Sequence, residues 1–236
     1  MNSFMEDSIK GLMVANTVSD VKCQLHKLAN LLEFDNFAFG IKVNNLTGIP
    51  TIDMINTYSD QWNDIYKKNN FISKDPIVLE GSATSNPIIW EESLKPTHEI
   101  FEIANDFNLN IGWSKPSHKP NGVSSLFSFS RSSESLTEAE LWKQTPYLLW
   151  VANIAEQAFE RVNSGYHGYS LVEVLTPREI EILKWSAEGK TASETSMILS
   201  ISERTVTFHI TNAVKKLNTC NKTSAVIKAV TLGLVC

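Results

Sequence analysis

From Thr176 onward the chain reads as a succession of helix starts spaced too closely for anything but a small helical bundle. TPREIEILKWSAEGK opens with a Thr that can cap and a Pro at the first helical position, and Gly189 is placed to end a helix predicted over Pro177 to Glu188. TASETSMILS predicts a second short helix, SIS a turn, and Ser202 a cap for a third, ERTVTFHITNAVKKLN; NKTSAVIKAVTLGLV predicts a fourth after Asn221. No strand signal interrupts them. A second and third helix joined by a tight turn is the helix-turn-helix layout. On the third helix Val206, Ile210, Ala213, Val214 and Leu217 share a face expected to point inward, while Thr207, Phe208 and Thr211 share an uncharged outward face. An outward aromatic on a helix usually has a partner.

Upstream the pattern is different. FAFGIKV (37–43) and VSSLFSFSR (123–131) alternate with a period of two and predict half-buried strands; TIDMINTY (51–58) and NIGWSKP (110–116) are weaker strand candidates. Helical stretches surround them at 20–34, 60–68, near 98–106 and 137–162. In the last of these Leu148, Val151, Ala155, Ala158, Phe159 and Val162 form an apolar stripe expected to be core before interface, and Pro146 is expected to kink or split the helix. The fold expected is α+β: an N-terminal α/β/α sandwich with a mainly antiparallel sheet over 1–162, a polar linker over 163–172 beginning NSGYHGYS, and an all-α four-helix helix-turn-helix domain over 173–236.

Length and charge fit two domains. At 236 residues the chain can bury real cores without disulfide staples. Cys23, Cys220 and Cys236 are odd in number and far apart, so free thiols are expected. The start MNSFMEDSIKG lacks the features of a signal peptide, and no apolar run is long enough for a membrane span, so a cytoplasmic location with no membrane partner is expected. The net charge of −5 discourages a nucleic-acid partner only if charge is even. It is not: before Ser170 there are 13 Lys and Arg against 20 Asp and Glu, and from Ser170 onward 8 against 6. A basic module follows an acidic one.

The run LTPREIEILKWSAEGKTASETSMILSISERTVTFHITNAVKKLN closely resembles the DNA-binding domain of LuxR-type transcription regulators. The resemblance implies that Thr207, Phe208 and Thr211 meet base edges of double-stranded DNA, where Thr can hydrogen-bond and Phe can touch a thymine methyl. It implies that Lys190, Thr205, Lys215, Lys216 and Lys222 meet phosphates, which position the helix. EGKT at 188–191 is not the end of a phosphate-binding loop, because position 184 is Lys and no strand precedes it.

Tyr58, Trp62, Tyr66, Asp75, Pro76 and Trp90, followed by Gly112 and Trp113, resemble the autoinducer domain of the same family, and the run FSRSSES (129–135) looks most like its orphan receptors. The implied effector is an N-acyl-homoserine lactone, with no cofactor and no metal. That ligand offers one amide N–H, two carbonyls and a hydrocarbon tail, so its pocket needs one buried acceptor, several donors and apolar walls. By resemblance Asp75 accepts the amide N–H, Trp62 donates to the ring carbonyl, and Tyr58 and Ser128 donate to the amide carbonyl. Tyr66 and Trp90 would pack on tail and ring. Ala38, Gly40 and Leu126 face the same pocket by the period of two if Tyr58 and Ser128 do. Three positions depart from the family pattern near the expected tail: Phe101 stands where Trp is common, Asn108 where Gly is frequent, and Ala38 where the most similar receptors have Ser.

The implied mechanism is a homodimer, stabilised by the lactone, that binds an inverted-repeat promoter site and works with RNA polymerase. An Asp75 carboxylate buried without its ligand would be an unpaired charge, so the ligand-free protein is expected to be destabilised. The alternative is a regulator of the same type that is ligand-independent or answers another small molecule. A lactone-hydrolysing enzyme is disfavoured, because no HxHxDH-like cluster or GxSxG elbow is present and His26, His98, His118 and His167 are scattered.

Overall fold

Alternation between bulky and small side chains decides how the central sheet is covered. In β1 (Asn36–Val43) Phe37, Phe39 and Ile41 are buried on one face, while Ala38, Gly40 and Lys42 point the other way. In β5 (Val123–Arg131) Phe127 and Phe129 match the bulky face, and Ser124, Leu126 and Ser128 the smaller one. With β2 (Thr51–Asn56), β3 (Ile88–Ile89) and β4 (Ile111–His118) they form a five-stranded sheet of order β2-β1-β5-β4-β3. The pairs β1–β2, β3–β4 and β4–β5 are antiparallel. The computed structural model describes residues 3–43, 50–90, 99–119, 122–132, 134–163 and 175–235.

The bulky face is covered by α1 (Ser3–Val14), α2 (Val18–Leu31) and α6 (Glu138–Val162). Phe39 meets Phe159 of α6 edge-on at 5.0 Å between ring centroids, and Phe34 stacks on Phe129 at 5.3 Å. The α6 stripe is core within this chain: Leu148, Val151, Ala155, Ala158 and Phe159 are buried. The helix runs unbroken through Pro146, which neither splits nor ends it. The carbonyl left without its amide donor belongs to Trp142, and Pro146 and Trp142 are both exposed, so water can serve it.

The smaller face is covered by α3 (Asp60–Lys68), the 3₁₀ turn Phe71–Ser73, α4 (Pro76–Ala83) and α5 (Glu99–Asp106). Trp62, Phe71, Ile100, Ala104 and Leu109 form the core of this layer. Helices on both faces of the sheet make the α/β/α sandwich that the sequence predicts.

Two helices and the short strand β3 escape sequence reading. In α1, exposed Phe4, Met13 and Val14 blur the amphipathic pattern; the helix is held by Arg161, which donates to the Leu12 and Ala15 carbonyls. Gly81 masks α4, where a Cβ would stand 3.2 Å from Leu126 Cδ1, so its absence lets the helix approach the sheet. The second strand stops at Asn56, short of the predicted 58, because the Asn56 side chain accepts the Tyr58 amide at 3.0 Å and turns the chain out of the ladder.

The remaining described chain forms a separate unit of α7 (Pro177–Ala187), α8 (Ala192–Leu199), α9 (Glu203–Lys216) and α10 (Lys222–Thr231). Thr176, Thr191, Ser202 and Asn221 cap them, the first two through reciprocal boxes with Glu179 and Glu194. Gly189 ends the first at a φ of +79°. Leu183, Ala213, Leu217, Ala225 and Ala229 supply the core. Cys23 and Cys220 are free thiols. Most of the expected linker and Cys236 lie outside the described residues. Among those described, no helix is long and apolar enough to cross a membrane.

Candidate ligand-binding and DNA-binding sites

A cavity of about 380 Å³ lies between the smaller face of the sheet and the α3–α5 layer. Every ligand-contact residue nominated from sequence lines it. Ala38 and Gly40 come from β1, Leu126 and Ser128 from β5, and Tyr58, Trp62, Tyr66, Asp75, Trp90 and Phe101 from the helical layer and its loops. The walls are otherwise mainly apolar, with Ile52, Met54, Ile77, Val78 and Leu109 among them.

Local bonds aim the polar groups. Asn56 and Asn63 exchange side-chain hydrogen bonds of 2.9 and 3.1 Å, and Asn63 also donates to the Tyr58 carbonyl. Together with the Ser59 cap on the Trp62 amide, these fix Tyr58 and Trp62 where β2 hands over to α3. Burial, only partly offset by the nearby Ser130 hydroxyl, pushes the Tyr58 hydroxyl well above its ordinary pKa, so it remains a protonated donor. Trp62 is buried, and its indole N–H makes no hydrogen bond among the described residues.

Asp75 caps α4 ahead of Pro76 and accepts the Ile77 amide at 2.9 Å through Oδ1. Its Oδ2 accepts the Tyr66 hydroxyl at 2.8 Å. The expectation of an unpaired charge is therefore corrected: Asp75 is half-buried and both oxygens have protein donors. Burial and the Asp75 charge push the Tyr66 hydroxyl far above its usual range, which keeps the proton on Tyr66. Behind the wall Trp90 Nε1 donates to Ser114 Oγ at 2.8 Å, and Ser114 Oγ lies 2.8 Å from Ser128 Oγ. Gly112 makes room for the indole, since a Cβ there would stand 2.4 Å from Trp90 Cδ2.

On α9 Thr207, Phe208 and Thr211 are exposed, Phe208 at 60%, and with Glu203 and Arg204 they border a shallow surface concavity. Val206, Ala213 and Leu217 face inward. Of the predicted phosphate contacts, Lys215 is exposed, and Lys222 donates to the Lys190 carbonyl at 3.0 Å, which brings those two residues together. Thr205 Oγ1 lies 2.7 Å from the capping Ser202 Oγ. Lys216 is placed differently: its ammonium is 3.0 Å from buried Glu179 and ties α9 to α7.

Residues 17–159 match the autoinducer binding domain, and residues 173–229 match the bacterial regulatory proteins of the luxR family. The chain belongs to the LuxR family of quorum-sensing transcription regulators. It is 34% identical to the transcriptional activator protein SolR of Ralstonia nicotianae and 31% identical to AnoR of Acinetobacter nosocomialis, each over the whole of both chains. Escherichia coli SdiA superposes with a TM-score of 0.80 at 27% identity, over 99% of this chain and 98% of that one. SdiA has also been solved with octanoyl-rac-glycerol, with the same TM-score and identity over 99% of this chain and 96% of that one.

Asn108, one of the departures from the family pattern, does not line the cavity; its φ of +59° is the left-handed conformation that makes Gly frequent there and that Asn tolerates. Ser114 and Arg204 were not nominated from sequence. The strand period could have placed Ser114 on the cavity side with Gly112, and the helical period could have placed Arg204 one turn before Thr207 and Phe208.

Proposed function

We propose that the cavity binds an N-acyl-homoserine lactone and that the bound form is a homodimer reading an inverted-repeat promoter site. The observation that carries the ligand assignment is the Trp62 indole N–H, a donor on a buried side chain that lines a mainly apolar cavity and has no protein partner among the described residues. A lactone carbonyl answers it. Tyr58 and Ser128 donate to the amide carbonyl, and Asp75 accepts the amide N–H alongside its Tyr66 and Ile77 donors. Trp90 packs on the ring, Tyr66 on the tail, and Ala38, Gly40, Leu126 and Phe101 form the apolar walls. About 380 Å³ is near the lower end for small-molecule pockets and favours medium tails over long ones.

In the DNA-binding unit Thr207, Phe208 and Thr211 meet base edges, while Lys190, Thr205, Lys215 and Lys222 meet phosphates. The ion pair with Glu179 makes Lys216 a brace for the recognition helix. Two-fold symmetry of the dimer matches the inverted repeat, and the activator names of SolR and AnoR support recruitment of RNA polymerase.

A second reading follows from SdiA: a monoacylglycerol, which has the carbonyl and tail but no amide N–H. Thermal unfolding of the full chain with a tail series of lactones and with octanoylglycerol decides between them. At a hundredfold excess over Kd a true ligand stabilises by about 2.7 kcal/mol, a rise of roughly 5–10 °C. A rise with octanoylglycerol and with no lactone would replace the assignment.

A further inference from the structure

Ser114 is completely buried and does not line the cavity, yet its hydroxyl stands between two residues that do. It accepts the Trp90 indole N–H and lies against Ser128, both at 2.8 Å. The Trp90 bond has one possible direction, because an indole nitrogen only donates. Ser114 then has one proton of its own to place, and Ser128 Oγ is the acceptor in reach among the described residues. If Ser128 donated to Ser114 instead, the Ser114 proton would be a buried donor without a partner, the costlier arrangement. The protons therefore run one way, from Trp90 to Ser114 to Ser128. The Ser128 proton is left pointing at the cavity.

We propose that Ser114 is a positioning residue which, held by Trp90, fixes the Ser128 hydroxyl as a hydrogen-bond donor to the ligand's acyl carbonyl. A chain of aligned hydrogen bonds strengthens its last member. Trp90 thereby acts at two points: its ring face is a wall of the cavity, and its N–H sets the proton order behind that wall. The close seat on Gly112 and the 2.9 Å bond from the Trp90 amide to the Gly112 carbonyl keep the indole in place for both.

This inference rests on the lactone assignment, and its test separates the two. Wild type and Ser114→Ala are titrated with a lactone and with its thioamide, whose sulfur is a poor acceptor but whose ring and tail are the same. Ser114→Ala should weaken the lactone about tenfold and the thioamide less than twofold. Ser114→Thr should restore the lactone, and Ser114→Ala should cost nothing further in a Ser128→Ala background. Isotope-edited infrared spectroscopy of a ¹³C-labelled acyl carbonyl should show its band moving to higher wavenumber in Ser114→Ala, a shift that a packing role would not produce. Equal losses for both ligands, or none, would overturn the relay while leaving the lactone assignment intact. Failure of wild type to bind any lactone would remove the assignment and the relay with it. If Ser114→Ala does not fold, Trp90→Phe carries the test: it frees Ser114 to accept from Ser128, so the preference for lactone over thioamide should collapse, and an unchanged preference overturns the proposal.

Discussion

Gly112 acts through the side chain it lacks. Trp90 Cδ2 occupies the space a Cβ would need, at 2.4 Å, a distance no packed side chain tolerates. Gly112→Ala must move the indole or the strand, and overpacking of this kind costs about 1–3 kcal/mol. Urea denaturation of the full chain should show that loss, with lactone affinity falling further because Trp90 also leaves Ser114. An unchanged midpoint would mean the wall is softer than its packing indicates. The same scale shows why some placements were legible and one contact was not. Trp62 and Tyr58 line the cavity where the family resemblance puts them. Asp75 carries a group that must be satisfied, but its bond with Tyr66 could not be read. Tyr66 lies nine residues away in sequence, and only the 3₁₀ turn between α3 and α4 brings its hydroxyl to the carboxylate.

At the scale of elements, α7 and α9 are held by one carboxylate. Glu179 Oε2 takes the Thr176 amide at 2.7 Å, closing the capping box, and the Lys216 ammonium at 3.0 Å. Burial pushes this carboxyl up, but the Thr176 amide and Lys216 together outweigh it and hold the group below the usual carboxylate range. A depressed folded value means that the stability is present above the unfolded pKa, about 4.3, and is lost as pH falls through the folded value. Amide-exchange protection of α7 and α9 should therefore decline below about pH 4. Glu179→Gln should show lower protection at neutral pH and a flatter acid profile; an identical profile would assign the acid sensitivity elsewhere. Sequence patterning found α3 and α6–α10 well because their caps and periodicities agree. It missed α1 and α4, where exposed apolar residues and a close-packing glycine serve tertiary contacts that no local window contains.

For the whole molecule, the net charge of −5 is an average over an acidic sensor and a basic DNA-binding unit. Only the second should meet phosphate. Phe208, Thr207 and Thr211 carry no charge, so they contribute readout without salt dependence, and Lys216 is already paired with Glu179. That leaves Lys190, Lys215 and Lys222, with exposed Arg204 as a fourth cation, for each half-site. Each neutralised phosphate contributes about −0.9 to the slope of log K against log salt. One subunit on DNA should therefore give a slope of about −3, and a dimer spanning both halves of an inverted repeat about −5 to −7. Binding of the lactone-loaded full chain to an inverted-repeat duplex, measured between 50 and 200 mM salt, should take the steeper value and lose about a thousandfold to ten-thousandfold in affinity. A slope near −3 on the full site, equal to that on a single half-site, would mean that one subunit holds the DNA and that dimerisation acts elsewhere.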